Sequence, residues 1–259
     1  MNLWSTFGVA VLTIWVYMSA MFLVARLVGR NDIADIAWGP GFFIVALVAL
    51  FTHEGSTTRQ ILVLVLVALW AARLALHVGN RNLGKPEDHR YQKMREDWGD
   101  AFVLRSYLEV FMLQGLFMFL VSLPIQIVMT TDPGGVDVLT FLGLVLWIIG
   151  FVFETVGDYQ LDRFKSDPAN KGKIMTEGLW RYTRHPNYFG EVTQWWGIAI
   201  ICLTVPWGWL GIIGAITITL LILGVSGVPM LERHFEGRPG WEEYKERTSP
   251  FFPWPPKDS

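Results

Sequence analysis

Long apolar stretches alternate with short polar segments along the chain. Seven of these stretches approach the roughly 20 apolar residues that a helix needs to cross about 30 Å of hydrocarbon. They lie near residues 5–28, 33–52, 60–79, 103–129, 136–160, 187–204 and 207–229. The first has no basic leader and no small-residue cleavage site, so we expect it to remain as a membrane helix. The pattern predicts an all-α polytopic membrane protein, with seven transmembrane helices in a single membrane-embedded domain over residues 1–259.

Composition and charge support this prediction and set its orientation. Hydrophobic residues make up 52% of the chain, the mean hydropathy is +0.37, and the net charge of −2 indicates no nucleic-acid partner. All but Arg59 and Arg73 of the 21 Lys and Arg residues lie in or beside the segments that follow the first, third, fifth and seventh stretches. Because cytoplasmic loops retain positive charge, we expect the N-terminus outside and the tail, residues 230–259, in the cytoplasm.

The chain lacks the motifs of several common enzyme classes. No G-x-G-x-x-G and no Walker sequence is present, which excludes the soluble nucleotide-binding folds. The five histidines show no metal-ligand spacing, so we predict no metal site. Cys202 is the only cysteine, and it therefore forms no disulfide within the chain.

Two acidic residues stand at the start of the second stretch, in "RNDIADIAWGPGFF". Asp32 and Asp35 are three residues apart and therefore share one helical face. A charge within a membrane helix costs about 2.5 to 3.5 kcal/mol, so such residues usually face a cavity and a partner. Asp32 could simply cap the helix, whereas Asp35 lies one turn deeper and is the stronger functional candidate. Pro40, between two glycines, can open room for a ligand or a neighbouring helix.

Two further stretches end in polar stripes at four-residue steps. The third stretch carries Arg73, His77 and Arg81. The fifth stretch carries Glu154, Asp158 and Asp162. Snorkelling explains Arg81, but the depth of Arg73 favours an anion or Asp35 as its partner. Stacked acids repel one another unless donors lie opposite, and either ribose hydroxyls or arginines of this chain could supply those donors.

The segment "RYTRHPNYFGEVTQWWG" joins a basic, aromatic loop to the sixth stretch. Pro186 suits the first turn of a helix, so we expect the helix to start there. The free backbone N–H groups of that start, with Arg184 and His185 beside them, would favour an anion. Asn187 and Glu191 would then follow along one face. An ordinary interfacial anchor is the alternative, although an anchor does not require these two polar residues to continue into the apolar run.

The tail repeats the basic and aromatic theme in "MLERHFEGRPGWEEYKERTSPFFPW". We expect it to fold back over the cytoplasmic ends of the helices, with four residues placed to do so: Glu232, Arg233, Trp241 and Tyr244. A solvated tail is the alternative, but its aromatic content disfavours disorder.

The segment "GLWRYTRHPNYFGEVTQWWG" resembles the C-terminal signature of the steroid 5α-reductase family, in its bacterial branch with the domain of unknown function 1295. The resemblance runs from about Asp32 to Trp254 and includes "DIAWGPGF" and "RNLGKPEDHRY". A weaker similarity links the chain to isoprenylcysteine carboxyl methyltransferases, which share an R-H-P-x-Y segment. Membership of the bacterial branch would imply the bacterial cytoplasmic (inner) membrane. Because the polar clusters above all lie on the side that the basic loops mark as cytoplasmic, we expect a site open to the cytoplasm.

The resemblance implies a seven-helix bundle that holds NADPH and reduces a lipid or steroid-like substrate. It assigns the catalytic acid to Asp35. The family's proton-donating tyrosine falls at or near Trp70, and an indole cannot take that role. Residue 154 also departs from the family, with glutamate in place of asparagine. Together with the polar clusters above, the resemblance predicts the following cofactor-binding residues: Arg73, His77, Arg81, Glu154, Asp158, Lys165, Tyr182, Arg184, His185, Asn187, Tyr188, Glu191, Glu232, Arg233 and Tyr244.

Three functions stay open at this point. The first is an NADPH-dependent reductase that saturates an activated C=C bond, the second an S-adenosylmethionine-dependent methyltransferase acting on a lipid or lipidated group. Both cofactors contain adenosine, so a shared adenosine site does not discriminate between them. The third is a non-catalytic lipid-binding protein, which would bind no nucleotide. The expected partners are membrane lipids and one small lipid or steroid-like molecule, while the oligomeric state stays open.

Overall fold

The computed structural model describes residues 2–52 and 56–257, and within these ranges the regular structure is helical. Its α-helices are α1 (Leu3–Val28), α2 (Ile33–Phe51), α3 (Thr58–Asn82), α4 (His89–Trp98), α5 (Phe102–Arg105), α6 (Leu113–Val121), α7 (Leu123–Thr131), α8 (Val138–Ser166), α9 (Pro186–Cys202), α10 (Ile212–Leu220), α11 (Val228–Phe235) and α12 (Trp241–Arg247). Two π-helical segments, Ser106–Met112 and Leu221–Val225, join α5 to α6 and extend α10. This confirms the predicted all-α class.

Six helical segments of the described chain are long and apolar enough to cross a membrane: Leu3–Val28, Ile33–Phe51, Thr58–Asn82, His89–Val121, Val138–Ser166 and Gly208–Phe235. The chain is therefore an integral membrane protein by composition and helix length. The remaining predicted span corresponds to α9, which has 17 residues and lies at the short end of what can cross a bilayer. The seven-helix count and the orientation of the termini stay predictions.

One predicted span is interrupted. The stretch 103–129 reads as a single apolar run, yet the structure divides it into α5, a π-helix, α6 and α7. The last break comes at Ser122, and Pro124 follows in the first turn of α7, where its missing N–H costs nothing. Hydropathy does not register such a break, because both sides of it are equally apolar.

The described residues form two compact units. The first comprises Met1–Thr140 with Cys202–Gly214, and the second comprises Phe141–Ile201 with Ala215–Ser259. The predicted single domain over 1–259 stays a prediction, and its last two residues, like His53, Glu54 and Gly55, lie outside the described residues.

In the first unit, α2 packs against α3 and α6 through glycines. Helix α2 continues through Pro40, and a methyl group added to Gly39 would lie 3.1 Å from the backbone oxygen of Ala71. One added to Gly41 would lie 2.6 Å from the sulfur of Met118. The room expected beside Pro40 is thus filled at these two faces by neighbouring helices.

The α2–α3 side of the same unit ends in a buried ion-pair cluster. Arg59 is 2% exposed and contacts the carboxylates of both Asp132 and Asp137, while its Nε donates to the hydroxyl of Thr140 over 3.1 Å. Thr57 also donates to Asp132 and caps α3 in a reciprocal box with Gln60. Arg59, which lies outside the predicted basic loops and spans, therefore connects the first turn of α3 to the start of α8.

In the second unit, α8 and α9 meet backbone to backbone along two glycine rows with a seven-residue spacing. Gly143 and Gly150 of α8 face Gly197 and Gly190 of α9. A methyl group at Gly190 would lie 2.5 Å from the carbonyl oxygen of Gly150 and would also collide with the backbone nitrogen of Glu154. Small residues allow such close approach between membrane helices, and here they bring the polar faces of α8 and α9 together.

We expect Gly190→Ala to destabilise the protein, because neither backbone can move aside without separating the two helices. Overpacking of this kind costs roughly 1–3 kcal/mol. Gly224→Ala is the matched control in the same unit, since a methyl group there meets no atom within 4 Å. Thermal unfolding of the two variants in detergent would measure the difference. Equal unfolding midpoints would show that the α8–α9 contact can accommodate a methyl group at position 190.

Candidate functional site

In the first unit, α4 places two donors on the carboxylate of Asp35. The hydroxyl of Tyr91 donates to Oδ1 over 2.7 Å, and Nη2 of Arg90 donates to Oδ2 over 2.8 Å. Tyr91 is 4% exposed and the Asp35 side chain 18%, so this contact is largely shielded from solvent. A carboxylate, a phenol and a guanidinium thus meet at one point, which is an arrangement able to orient and move a proton.

The loop before α4 fixes this geometry. Asp88 caps α4 by accepting from the backbone N–H of Arg90, and its carboxylate also accepts from the Arg90 side chain at 3.0 Å. Burial acts to raise the pKa of Asp88, but these hydrogen bonds outweigh it and hold that pKa below its ordinary value. The anchored arginine is therefore aimed at Asp35.

Asp32 has a structural role in the same cluster, but it is not a capping one. Its side chain makes no capping hydrogen bond to α2. Instead it is fully buried, pairs with Arg30 through two hydrogen bonds of 2.6 and 2.5 Å, and accepts the backbone N–H of Asp88. Since Arg30 also reaches the carbonyls of Asn82 and Lys85, this pair holds the α3–α4 loop against the start of α2.

The polar stripe predicted on α3 lies in the same unit. Arg73 and His77 are half-buried, and Arg81 is exposed with its Nε on the side chain of Asn82. The sequence suggested Asp35 as one possible partner of Arg73. The described partners of Asp35 are Arg90 and Tyr91. Trp70 is 2% exposed and packs edge to face on Phe42, so it belongs to the core of this unit.

In the second unit, two buried acids of α8 each accept a hydrogen bond from an amide of α9. Nε2 of Gln194 donates to Glu154 over 2.5 Å, and Nδ2 of Asn187 donates to Asp158 over 3.0 Å. Glu154 is 2% exposed and Asp158 is 8% exposed. The predicted acidic face is therefore real at these two positions, whereas Asp162, one turn further, is exposed. Amides are thus described donors to both acids.

The two amides and a neighbouring hydroxyl have buried oxygen atoms that could still accept hydrogen bonds. The buried atoms Oδ1 of Asn187, Oε1 of Gln194 and Oγ1 of Thr155 have no hydrogen-bond partner among the described residues. An unpartnered buried polar atom costs about 1–3 kcal/mol, so such atoms cluster where a ligand or water completes them. These three acceptors lie on α8 and α9, and they fit a ligand rich in N–H and O–H donors.

Arg184 is committed to the tail. Its guanidinium contacts Oε1 of Glu232 at 2.7 Å and donates to the carbonyls of Lys245 and Thr248. The same group lies over the ring of Trp241, with 5.8 Å to the ring centroid. His185 approaches the same carboxylate at 3.3 Å and stacks on Tyr188. Arg184 and His185, predicted to bind an anion, thus hold the tail through these contacts.

The tail folds back within the second unit, as predicted. Trp241 and Tyr244 are buried, and the Tyr244 hydroxyl donates to the carbonyl of Trp180 over 2.6 Å. Burial raises the pKa of Tyr244, which keeps the hydroxyl in its donor form. The remaining predicted residues are more open: Glu191 is half-buried, while Lys165, Tyr182 and Arg233 are exposed.

Sequence reasoning missed both residues that donate to Asp35, Arg90 and Tyr91. Their signal was present in "PEDHRY", where Asp88 marks a helix start and places both residues in the first turn. The predicted roles of the other residues stay predictions.

Comparison with known proteins gives the chain its relatives. A family model described as "Protein of unknown function (DUF1295)" matches residues 21–248. An uncharacterized protein of Schizosaccharomyces pombe is 25% identical over 76% of this chain and 64% of its own length. The 3-oxo-5-alpha-steroid 4-dehydrogenase 1 of Mus musculus is 34% identical over 22% of this chain and 23% of its own.

A third relative is named as a methyltransferase. The "Probable O-methyltransferase ustE" of Ustilaginoidea virens is 44% identical over 46 residues, which cover 18% of this chain and 16% of that protein. The chain thus matches less than two thirds of the length of each of these three relatives. No solved structure matches. The family model covers most of the chain and agrees with the resemblance read from its motifs, so the chain belongs to the DUF1295 family, whose relatives include steroid 5-alpha-reductases.

Proposed function

We propose that this chain is a membrane reductase that uses NADPH to saturate an activated C=C bond in a lipid or steroid-like substrate. Family membership and the reductase names among its relatives support the reaction class. The observation that carries the proposal is the contact of the Tyr91 hydroxyl with Asp35. The resemblance to the bacterial branch adds a bacterial inner membrane to the proposal, and the distribution of Lys and Arg along the chain adds a site open to the cytoplasm.

The reaction explains why an acid and a phenol are needed together. Bound NADPH would supply a hydride to the alkene carbon, and the electron pair of the double bond would move toward the substrate's carbonyl oxygen. Tyr91 would give its proton to that oxygen and recover one from solvent. The enol so formed would then take a proton from water at its α-carbon and lose the one on oxygen, which leaves the saturated carbonyl product. Asp35, held by Arg90, would orient the phenol and share its proton. Tyr91 thereby fills the donor role for which Trp70 is unsuited.

The second unit fits such a cofactor on chemical grounds. The adenine amino group and the ribose hydroxyls of its adenosine are donor-rich, and the unpartnered acceptors on Asn187, Gln194 and Thr155 suit them, beside the two buried acids. The phosphates would meet exposed cations of the same unit, such as Lys165 and Arg181.

A methyltransferase is the second candidate function. The 46-residue match to a probable O-methyltransferase supports it. Buried carboxylates also suit the sulfonium and ammonium charges of S-adenosylmethionine, since a buried charge needs an opposite partner. The reductase and the methyltransferase would use the same residues to hold the adenosine of their cofactors.

Ligand titration tests the proposal. We expect NADPH to raise the unfolding midpoint of the detergent-solubilised protein. At an NADPH concentration a hundred times its Kd, binding should stabilise the folded state by about 2.7 kcal/mol. Asn187→Ala should weaken this response, whereas Asn170→Ala, whose side chain donates only to the nearby carbonyl of Phe164 among the described contacts, should leave it intact.

The other outcomes separate the alternatives. Stabilisation by S-adenosylmethionine alone would sink the reductase proposal and favour the methyltransferase. No response to either compound, with no nucleotide found by mass spectrometry of the purified protein, would favour a non-catalytic lipid-binding protein.

A further inference from the structure

The last described residues, 249–257, form a segment that we call the C-terminal strap. Four hydrogen bonds hold it in place. Its carbonyls at Ser249 and Phe251 accept from the backbone N–H of Arg184 and the hydroxyl of Thr183, at 2.9 and 2.8 Å. Its own N–H groups at Trp254 and Lys257 donate to the carbonyls of Tyr182 and Arg247, at 2.9 and 3.0 Å. The strap is thus bonded along its length within the second unit.

This ordered strap exposes two large aromatic side chains. Phe251 is buried at 7%, but Phe252 is 70% exposed and Trp254 is 71% exposed. Such an exposed apolar pair on a segment with fixed backbone contacts marks an interaction surface, because it is unfavourable in water.

Neighbouring rings place the strap beside the membrane helices of its unit. The ring of Phe252 lies 6.2 Å from that of Phe189 in the first turn of α9, and Phe189 lies 5.1 Å from Phe153 of α8. On α8, Ile149 and Val152 are 42% and 50% exposed, as expected of a lipid-facing surface. The exposed face of Phe252 therefore lies beside an exposed apolar surface of a candidate membrane helix.

The composition of the strap also suits a poorly hydrated environment. Four of its nine residues are prolines, which carry no backbone N–H that would need a partner. Two of its remaining N–H groups are already bonded to residues 182 and 247. Few unpaired donors would thus be carried out of water, and each unpaired donor is costly in a bilayer.

We propose that the C-terminal strap is an interfacial membrane anchor, with Phe252 and Trp254 inserted into the headgroup region of the bilayer beside α8 and α9. Tryptophan is enriched at that depth because its ring is apolar and its N–H can reach water or headgroups. Tyr182, which is 43% exposed and bonded to the strap, would lie at the same level. The proposal requires only that the chain spans a membrane, and it does not depend on the reaction.

Nitroxide labelling in liposomes tests the position of the strap. The sole native cysteine, Cys202, is fully buried, so a cysteine introduced at the surface would be the only one labelled. Phe252→Cys and Trp254→Cys would be compared with Glu243→Cys, whose side chain is 72% exposed in the same tail. Exposure within the protein is therefore matched across the three sites. We expect the ratio of oxygen to aqueous nickel-complex collision rates to be several-fold higher at 252 and 254 than at 243.

Each other outcome is informative. A ratio at 252 and 254 equal to that at 243 would overturn the proposal, because both side chains would then face water. Strong spin–spin broadening would also overturn it, by showing that a second copy covers the strap. If Trp254→Cys does not fold, as judged by its helical circular dichroism, the Phe252→Cys label alone decides. The ratio at 252 should fall to the value at 243 when the protein is moved from liposomes into an amphipol that lacks lipid headgroups.

Discussion

Tyr91→Phe is expected to abolish most turnover while leaving the cofactor bound. The substitution removes one hydroxyl and retains the buried ring, and the Asp35–Arg90 ion pair loses none of its members. General acid catalysis typically contributes roughly 10²- to 10⁴-fold to a rate, so we expect a fall in kcat of that order. The measurement is NADPH oxidation with an α,β-unsaturated carbonyl compound that the unmodified protein reduces.

The matched control is Tyr107→Phe, which removes a hydroxyl from the same unit. Tyr107 contacts Ser19 and the indole of Trp15, and no residue predicted for the site. It should keep turnover close to that of the unmodified protein. An undiminished kcat in Tyr91→Phe would show that the phenol is not the proton donor, whatever the cofactor.

Asp35→Asn extends this test, since asparagine keeps the shape but loses the charge that pairs with Arg90. If Asp35 and Tyr91 act together in one proton transfer, the double variant should be no less active than the less active of the two single variants. Losses that multiply would instead show that the two residues act independently, in separate roles.

The helices follow from sequence to the extent that hydropathy and helix-start chemistry determine them. Pro186 marked the first residue of α9, and the structure confirms that start. The four-residue step of Glu154 and Asp158 placed both on one face, and both are buried. These predictions succeeded because each depends on residues within one or two turns of each other.

The partners of those residues could not be predicted in the same way. Asp35 and Tyr91 are 56 positions apart, and Arg184 and Glu232 are 48 apart. Periodicity carries no information about contacts between separate helices. Arg184 illustrates the cost: beside a helix start it suggests an anion site, whereas the tail supplies the carboxylate and carbonyls that occupy it.

Removing Arg184 should therefore release the tail. Arg184 is 6% exposed, and Arg184→Ala would leave Glu232 without this partner and the carbonyls of Lys245 and Thr248 without their described guanidinium donor. Breaking a fully buried ion pair costs about 3–5 kcal/mol, and this pair should cost less, because the Glu232 side chain is 21% exposed and keeps its contact with His185. We expect a lower unfolding midpoint and rapid tryptic cleavage after Lys245 and Arg247, measured by limited proteolysis.

Two further variants decide whether the anchor or an anion site explains Arg184. Arg184→Lys should rescue little, because one ammonium cannot reproduce a fork that reaches Glu232 and two carbonyls together. Arg233→Ala removes a neighbouring exposed arginine whose described bond is to the carbonyl of Pro229, and it should leave the tail protected. If Arg184→Ala instead kept the tail resistant to trypsin and lost NADPH binding, the predicted anion site would stand. The tail would then be held by Tyr244 and Thr183, through their bonds to the carbonyls of Trp180 and Phe251.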